Sequence, residues 1–265
     1  MKIDKQKIRE NFKAYTEKYN AEDSKIALKI HHTYRVAELC ERIAGSEHMD
    51  REDRELAWLL GMLHDIGRFE QLRRYDTFND AQSVNHAMLG ADILFGTDAG
   101  EKYEGALIRE YIEDVSEDGL IETAIRVHSA YRVPENLDAR TKQFCHILRD
   151  ADKIDILKVN IETPLEEIYN TTSEELYAAE VTGAVMDSFY EHHATLRSIK
   201  RTPVDHIAGH VSLIYELVFP ESVCIVKEQG YWEKLIDFPS QNEKTRKQLL
   251  ELKQEMYRFL EKEDI

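Results

Sequence analysis

The chain is poor in cysteine, proline and glycine, with 3, 5 and 11 of them among 265 residues. The three cysteines are widely spaced and odd in number, which fits reduced thiols in a cytosol better than a disulfide framework. Because proline is scarce and no stretch is rich in Ser, Gly and Pro, we find no linker and predict one domain over residues 1–265. The N-terminal residues include no apolar run, so no signal peptide or membrane span is visible, and we expect a cytoplasmic protein.

Positive charge is the other scarce property. Lys and Arg number 35 against 51 Asp and Glu, so the formal net charge is -16. Proteins bind long nucleic acid by neutralising its phosphates with Lys and Arg, and an acidic chain argues against that class of partner. A small phosphorylated ligand stays compatible with this charge, because it needs only local cations and a metal ion.

Apolar residues recur at helical spacing along most of the chain, whereas the alternation typical of strands is almost absent. The fold class predicted from this pattern is all-α. The predicted helices span 3–19, 24–46, 51–65, 84–95, 101–113, 119–130, 139–160, 174–192, 203–219 and 241–262. At 223–226 a short strand and a helical turn fit equally well. The stretch after residue 170 carries no chemical motif, and we expect it to pack on the core and to roof a pocket or form a homodimer face.

The most informative motif is the tetrapeptide His64-Asp65-Ile66-Gly67. It closes the apolar stretch 59–63, so a His and an Asp lie side by side at the end of a buried helix. Burying two ionisable groups there is costly unless a partner satisfies them. A divalent metal is one such partner, since neutral imidazole and carboxylate both bind Zn, Mn and Fe. A His-Asp pair on its own is frequent, however, and more often forms a hydrogen bond at a helix end.

Four histidines lie on the apolar faces of four different predicted helices. Their face-sharing neighbours at helical spacing are Val36, Leu39 and Ile43 for His32; Leu56 and Leu60 for His64; Leu89 and Ile93 for His86; and Ile121 and Ile125 for His128. For any one of these, a core histidine bonded to a neighbour is the simpler interpretation. For all four together with an Asp, one metal centre is simpler, because it satisfies every ring at once.

An acidic ligand is expected later in the chain, in the run 148–156, which contains three Asp. Asp152 shares a face with Leu148 and Ile156, whereas Asp150 shares one with Ile147 and Ile154. A helix that is apolar on two faces is deeply buried, so at least one of these carboxylates is expected inside. Periodicity does not choose between them.

Taken in order, these residues resemble the HD-domain superfamily of metal-dependent phosphohydrolases, whose ligands run His, His-Asp, an optional His and His, and then Asp. The local sequences agree at 32–36, 61–70, 85–91, 125–128 and 149–153. The last family ligand is the Asp of an Ala-Asp-Lys or Ala-Asp-Arg step, which favours Asp152. The metal ligands that the resemblance implies are His32, His64, Asp65, His86, His128 and Asp152. It covers about 24–160 and implies an HD-domain helical bundle there, followed by a C-terminal helical extension at about 170–265.

The six-ligand set implies two divalent metal ions, with Asp65 able to bridge them because its carboxylate has two oxygens. Mn, Fe, Mg, Zn and Ni are not distinguished by the sequence. Paired metals about 3.5–4 Å apart clamp the attacking and leaving oxygens of phosphoryl transfer. The implied activity is hydrolysis of a small phosphate ester by metal-activated water, with a nucleotide or cyclic dinucleotide as the first candidate. Asp65 therefore counts as a catalytic residue as well as a ligand.

Two cations near these motifs are candidates for catalytic contacts to phosphate. Arg68 follows the His-Asp pair by three residues and is planar and bidentate, and Lys153 directly follows the last ligand. For each of them a surface charge is an equally good interpretation. His206 and His210 have the i, i+4 spacing of a zinc pair, but the Glu of the zincin pattern is missing, so we expect them to be structural.

Two other functions fit parts of this pattern. Some proteins that resemble this fold hold two iron ions with the same ligand order and are oxygenases. A non-catalytic sensor or scaffold with a degenerate HD domain is the other alternative, although a scaffold has no need of six converging ligands. Iron content and oxygen uptake distinguish the oxygenase from the hydrolase.

Overall fold

A computed structural model of the protein describes residues 2–20, 22–96 and 106–262. These residues form α-helices joined by turns and short 3-10 segments, and no strand occurs among them, so the predicted all-α class is confirmed. None of the helices in this described part is long and apolar enough to cross a membrane. The contacts divide the chain into two compact units, Met1–Asp152 and Lys153–Ile265. The prediction of one domain over residues 1–265 stays a prediction.

The N-terminal unit contains the helices that carry all six predicted ligands. They are α1 (Lys5–Thr16), α2 (Ser24–Ser46), α3 (Arg51–Leu63), α4 (Ile66–Tyr75), α5 (His86–Phe95), α6 (Ile108–Tyr111), α7 (Asp118–Val127) and the first part of α8 (Ala139–Glu162). The core of this unit is built on fully buried aromatic side chains, among them Phe12, Trp58, Phe69 and Phe144. Asp50 caps α3 by accepting a hydrogen bond from the Asp53 amide at 2.9 Å.

The C-terminal unit is also helical. After the end of α8 it contains α9 (Leu165–Tyr169), α10 (Ser173–Ala178), α11 (Gly183–Tyr190), α12 (Asp205–Val211), α13 (Pro220–Gln229), α14 (Tyr231–Ile236) and α15 (Glu243–Lys262). Residues 223–226 lie within α13, so the helical alternative was right and the strand was wrong. The helix predicted over 174–192 is interrupted between α10 and α11. Phe189 and Trp232 are buried in the core of this unit.

The main local error of the sequence interpretation concerns α4, which was assigned no helix. Its buried apolar residues, Ile66, Phe69 and Leu72, form a short stripe that neighbouring charges and Gly67 obscure. The chain bends at Asp65 and starts this new helix at once, so the His-Asp pair lies at the corner between α3 and α4. Of the helix predicted over 101–113, residues 101–105 lie outside the described residues, and the described remainder contains only α6.

Two glycines let the helices that carry the ligands come close together. A Cβ on Gly61 of α3 would overlap the backbone of Ala37 in α2. A Cβ on Gly67 of α4 would overlap the carbonyl oxygen of His86 at the start of α5. Glycine at these positions therefore allows the backbones bearing His64, Asp65 and His86 to approach to distances that any side chain would prevent.

Candidate metal centre

The six residues predicted as ligands converge in the N-terminal unit. His32 lies in the middle of α2, His64 and Asp65 form the α3–α4 corner, and His86 opens α5. His128 follows the last residue of α7, and Asp152 lies on α8. The five residues from His32 to His128 are buried, and the Asp152 side chain is 16 % exposed. The polar atoms of these residues thus meet inside the N-terminal unit, although they come from α2, the α3–α4 corner, α5, the end of α7 and α8.

The first donor group joins His32, His64, Asp152 and one oxygen of Asp65. The Nε2 atoms of His32 and His64 are 3.3 Å apart, and each lies 3.6 Å from Oδ2 of Asp65. Oδ1 of Asp152 lies 3.2 Å from the His32 Nε2 and 3.8 Å from the His64 Nε2.

The second donor group joins His86, His128 and the other oxygen of Asp65. The two Nε2 atoms are 3.1 Å apart, and they lie 3.5 Å and 3.7 Å from Oδ1 of Asp65. The carboxylate of Asp65 therefore presents one oxygen to each group, which is the arrangement that a bridging ligand requires.

These separations fit a metal ion. Nitrogen and oxygen donors about 2.0–2.2 Å from an ion lie roughly 3.0–3.6 Å from one another in octahedral or tetrahedral geometry. The donor atoms of each group are separated by 3.1 to 3.8 Å. The residues present thus match the number, type and spacing of donors that a divalent metal would need, and their role as ligands stays a prediction.

The second ring nitrogens fix how the imidazoles are protonated. Nδ1 of His64 lies 2.8 Å from the Gly61 carbonyl oxygen, and Nδ1 of His128 lies 2.7 Å from that of Ile125. Nδ1 of His86 lies 2.8 Å from Oδ2 of Asp80. Because all three partners are acceptors, each Nδ1 carries the hydrogen and donates it. In the neutral ring Nε2 is then left with a lone pair that points into the site.

In this protonation state the Nε2 atoms of His86 and His128 repel each other. Their Nε2 lone pairs face each other across 3.1 Å in a buried space beside a carboxylate oxygen. Two facing lone pairs repel unless a cation lies between or beside them. A metal ion removes that repulsion, and this is the chemical reason for reading the cluster as a metal centre.

The charge states of the cluster also suit metal binding. Burial lowers the pKa of His64 to about 4 and that of His86 to about 3, so both rings are neutral near pH 7. Burial opposes ionisation of Asp65, but the ammonium group of Lys29 beside it outweighs burial and holds the pKa of Asp65 well below its usual range. Neutral imidazoles and ionised carboxylates are the forms that bind metal.

Arg68 lies beside Asp65 but is already engaged. Its Nε is 3.6 Å from Oδ1 of Asp65, while Nη1 donates to the Phe78 carbonyl at 2.7 Å and to Oδ1 of Asp80 at 3.0 Å. The guanidinium group thus holds the loop after α4 against the site. A direct role for Arg68 toward phosphate stays a prediction.

Lys153 lies in the C-terminal unit and donates from Nζ to the Glu216 carbonyl oxygen at 2.8 Å. In the structure the ammonium group therefore binds a backbone acceptor. The predicted contact of Lys153 to phosphate stays a prediction.

Two further residues of the site were missed from the sequence. Lys29 donates from Nζ to Oδ2 of Asp65 at 2.7 Å, and Asp80 accepts from both His86 and Arg68. Lys29 lies one helical turn before His32 on α2, so a search for polar residues on that ligand's face would have found it. Asp80 begins a three-residue 3-10 segment between α4 and α5, which is too short for periodicity to give a signal.

The structure distinguishes between neighbouring residues of the same type. His31 is exposed and His32 is buried, so the structure brings His32 to the site. Asp150 is buried but belongs to neither donor group, whereas Asp152 belongs to the first. A cavity of about 430 Å³ lies in the C-terminal unit, between residues 160–166 and 234–239, and none of the predicted site residues lines it. The candidate metal centre is therefore identified by its cluster of His and Asp donor atoms and not by this cavity.

Comparison with known proteins agrees with this geometry. The HD domain model matches residues 30–157, a range that includes every member of both donor groups. Searches of curated proteins and of solved structures found no match. The buried His and Asp cluster lies where the metal site of an HD domain is expected. Residues 30–157 of this chain therefore form an HD domain.

Proposed function

We propose that this protein is a metal-dependent phosphohydrolase that cleaves a small phosphate ester with two divalent metal ions. HD domains with such a cluster are typically phosphohydrolases, which supports the class of reaction. The observation that carries the two-metal proposal is the division of the Asp65 carboxylate, whose oxygens face separate donor groups. A site for one metal would need only the first of these groups.

The protein's own residues would hold the ions and set their surroundings. His32, His64, Asp65 and Asp152 would hold one ion, and His86 and His128 would hold the other together with Asp65. When bound, such ions acidify a water molecule and stabilise negative charge on phosphate oxygens. Burial of the five residues from His32 to His128 excludes competing water, and the Nδ1 hydrogen bonds keep the rings oriented.

Cations beside the cluster support an anionic substrate. Lys29 and Arg68 both lie against Asp65, and each also lies near the Phe78 ring, with the Lys29 Nζ 5.6 Å and the Arg68 Cζ 5.7 Å from its centroid. The site thus combines two positive side chains with a half-buried aromatic ring in a chain of net charge -16. This combination suits a phosphate joined to a planar base, so nucleotides and cyclic dinucleotides are the first substrates to test.

The test is a substrate panel on protein loaded separately with Mn, Fe, Mg, Zn and Ni. The panel contains a phosphomonoester, a phosphodiester, nucleoside mono- and triphosphates and a cyclic dinucleotide. We expect phosphate release that depends on the metal and is abolished by a chelator. Asp152→Asn should reduce it strongly, whereas Asp76→Asn, on an exposed carboxylate, should leave it unchanged.

Oxygen uptake is measured in parallel on the iron-loaded protein with a polyol and a phosphonate. Oxygen consumption without any phosphate release would overturn the hydrolase in favour of a di-iron oxygenase. Absence of both activities with two metals bound would instead support a sensor, which would then bind the same nucleotides without consuming them.

A further inference from the structure

A second cluster of polar side chains lies in the C-terminal unit. His206 and His210 share one face of α12 at i and i+4. The Tyr169 ring stacks on His206, with centroids 5.0 Å apart and planes inclined by 24°. The Tyr169 hydroxyl lies 3.2 Å from Nδ1 of His210 and donates to Oδ1 of Asn160 at 2.9 Å. Because that hydroxyl proton goes to Asn160, Nδ1 of His210 carries a hydrogen and donates to the Tyr169 oxygen.

Lys200 places its ammonium group against this cluster. A Cβ on Gly209 would overlap the Cε and Nζ atoms of Lys200, so the end of the lysine side chain lies against α12. Gly209 lies between His206 and His210 in the sequence. Lys200 is half-buried. No hydrogen bond or ion pair engages its Nζ among the described residues. A half-buried ammonium group without a counter-charge can pair with an anion that reaches it from solvent.

The surroundings add positive charge. Burial and, to a smaller extent, the charge of Arg197 lower the pKa of Lys200 to about 8. Burial and the charge of Lys200 lower the pKa of His206 to about 4. The nearby carboxylate of Asp205 is already occupied, because it accepts from the amides of Thr182, Arg201 and Thr202. The positive groups of the cluster thus lack a free counter-ion.

This balance decides which kind of ligand the cluster would bind. A metal cation at the two histidines would be repelled by Lys200 and Arg197, and the His206 and His210 ring centroids are 6.4 Å apart. An oxyanion would be attracted by both positive charges, and the His206 ring would supply a further donor. Two positive charges favour a doubly charged anion over a singly charged one.

We propose that Lys200, His206 and Arg197 form a binding site for a phosphate group in the C-terminal unit. Lys200 and Arg197 supply the positive charge, and the ring of His206 supplies a neutral donor. This site does not depend on the proposed hydrolase activity, because its residues belong to neither donor group of the metal centre.

The experiment measures the reactivity of individual lysines in the full-length protein with and without inorganic phosphate. Lysines are reductively methylated at neutral pH and constant ionic strength in phosphate, sulfate, acetate or chloride, and each site is quantified by peptide mass spectrometry. We expect phosphate and sulfate to slow methylation of Lys200 in proportion to the bound fraction. Lys247 is an exposed lysine paired with Glu243 and should react equally in all four salts.

A second measurement tests whether Lys200 does more than pack against α12. Phosphate should raise the unfolding temperature of the wild type relative to chloride, and Lys200→Gln should lose at least about tenfold in phosphate affinity. Lys247→Gln should keep the wild-type response. Equal methylation of Lys200 in phosphate and chloride, or an unchanged phosphate response in Lys200→Gln, would overturn the proposal. Protection by acetate as strong as by phosphate would also contradict it.

Discussion

The ammonium group of Lys29 lies 2.7 Å from Oδ2 of Asp65, and the two side chains are only 16 % and 3 % exposed. That oxygen is the one that faces His32 and His64. A cation therefore lies against the carboxylate that joins the two donor groups, on the side of the first group. Lys29 holds Asp65 ionised, and under the proposed function it would also neutralise an anionic substrate.

Lys29→Met should lower kcat/KM for phosphate esters by about ten- to a hundredfold, the effect of losing one charged hydrogen bond. Metal content should be retained, because the variant removes a positive charge that would repel the ions. Steady-state kinetics and elemental analysis on the same sample check both parts. Lys25→Met is the matched control on α2, since Lys25 pairs with the exposed Asp76. Full activity of Lys29→Met would show that the lysine only stabilises Asp65.

The two donor groups predict two metal equivalents per chain with separable occupancy. His86→Ala and His128→Ala should each remove one equivalent, and Asp65→Ala should lose both, because its oxygens serve the two groups. Elemental analysis after loading with Mn or Fe and gel filtration measures this. His31→Ala, on an exposed ring adjacent to a predicted ligand, should bind as the wild type does. Equal metal content in the three site variants would exclude the proposed division.

Asp80 orients His86 by accepting the hydrogen of its Nδ1. Asp80→Asn should weaken metal binding at the second donor group by about ten- to a hundredfold, as is typical when the residue that orients a ligand is changed. A metal titration should then show two distinct affinities, with the first group unaffected. Asp76 is exposed and directly follows α4, and Asp76→Asn should give the same metal titration curve as the wild type. A uniform loss at both groups would mean that Asp80 supports the fold rather than one ring.

Glu70 should make stability depend on pH in the acid range. Arg73 and Arg74 outweigh burial and lower the pKa of Glu70 from 4.5 to about 2. Because the unfolded state binds the proton first, the stabilisation is complete above about pH 4.5 and is lost as the pH falls toward 2. Both arginines are largely exposed, so solvent screening limits the contribution to about 1 kcal/mol.

The measurement is urea unfolding of the wild type and Glu70→Gln across that range. The wild type should be more stable at neutral pH, and the difference should shrink continuously below pH 4.5. Glu110→Gln, an exposed carboxylate in the same unit, serves as the control. A difference that stays constant down to the acid limit would assign the effect of Glu70→Gln to packing instead of charge.

Local patterns in the sequence were enough to identify the all-α class, the bounds of α2, and the faces on which His32, His64, His86 and His128 lie. Residues three, four or seven apart share a helix face whatever the rest of the fold does, so short stretches of sequence already contain this information. The HD motifs then placed these faces in one family and one order. The short helix α4 was missed because charged residues and a glycine obscure its three-residue stripe.

Only the tertiary structure decided how the polar atoms are shared. Periodicity allowed both Asp150 and Asp152, and packing of α8 places Asp152 in the first donor group. The packing of the helices against one another turns the two oxygens of Asp65 toward different histidines and brings Lys29 and Asp80 to the site. These contacts join residues from separate helices and from the 3-10 segment that begins at Asp80. They depend on how closely the helices approach, as at Gly61 and Gly67, and no local pattern specifies that distance.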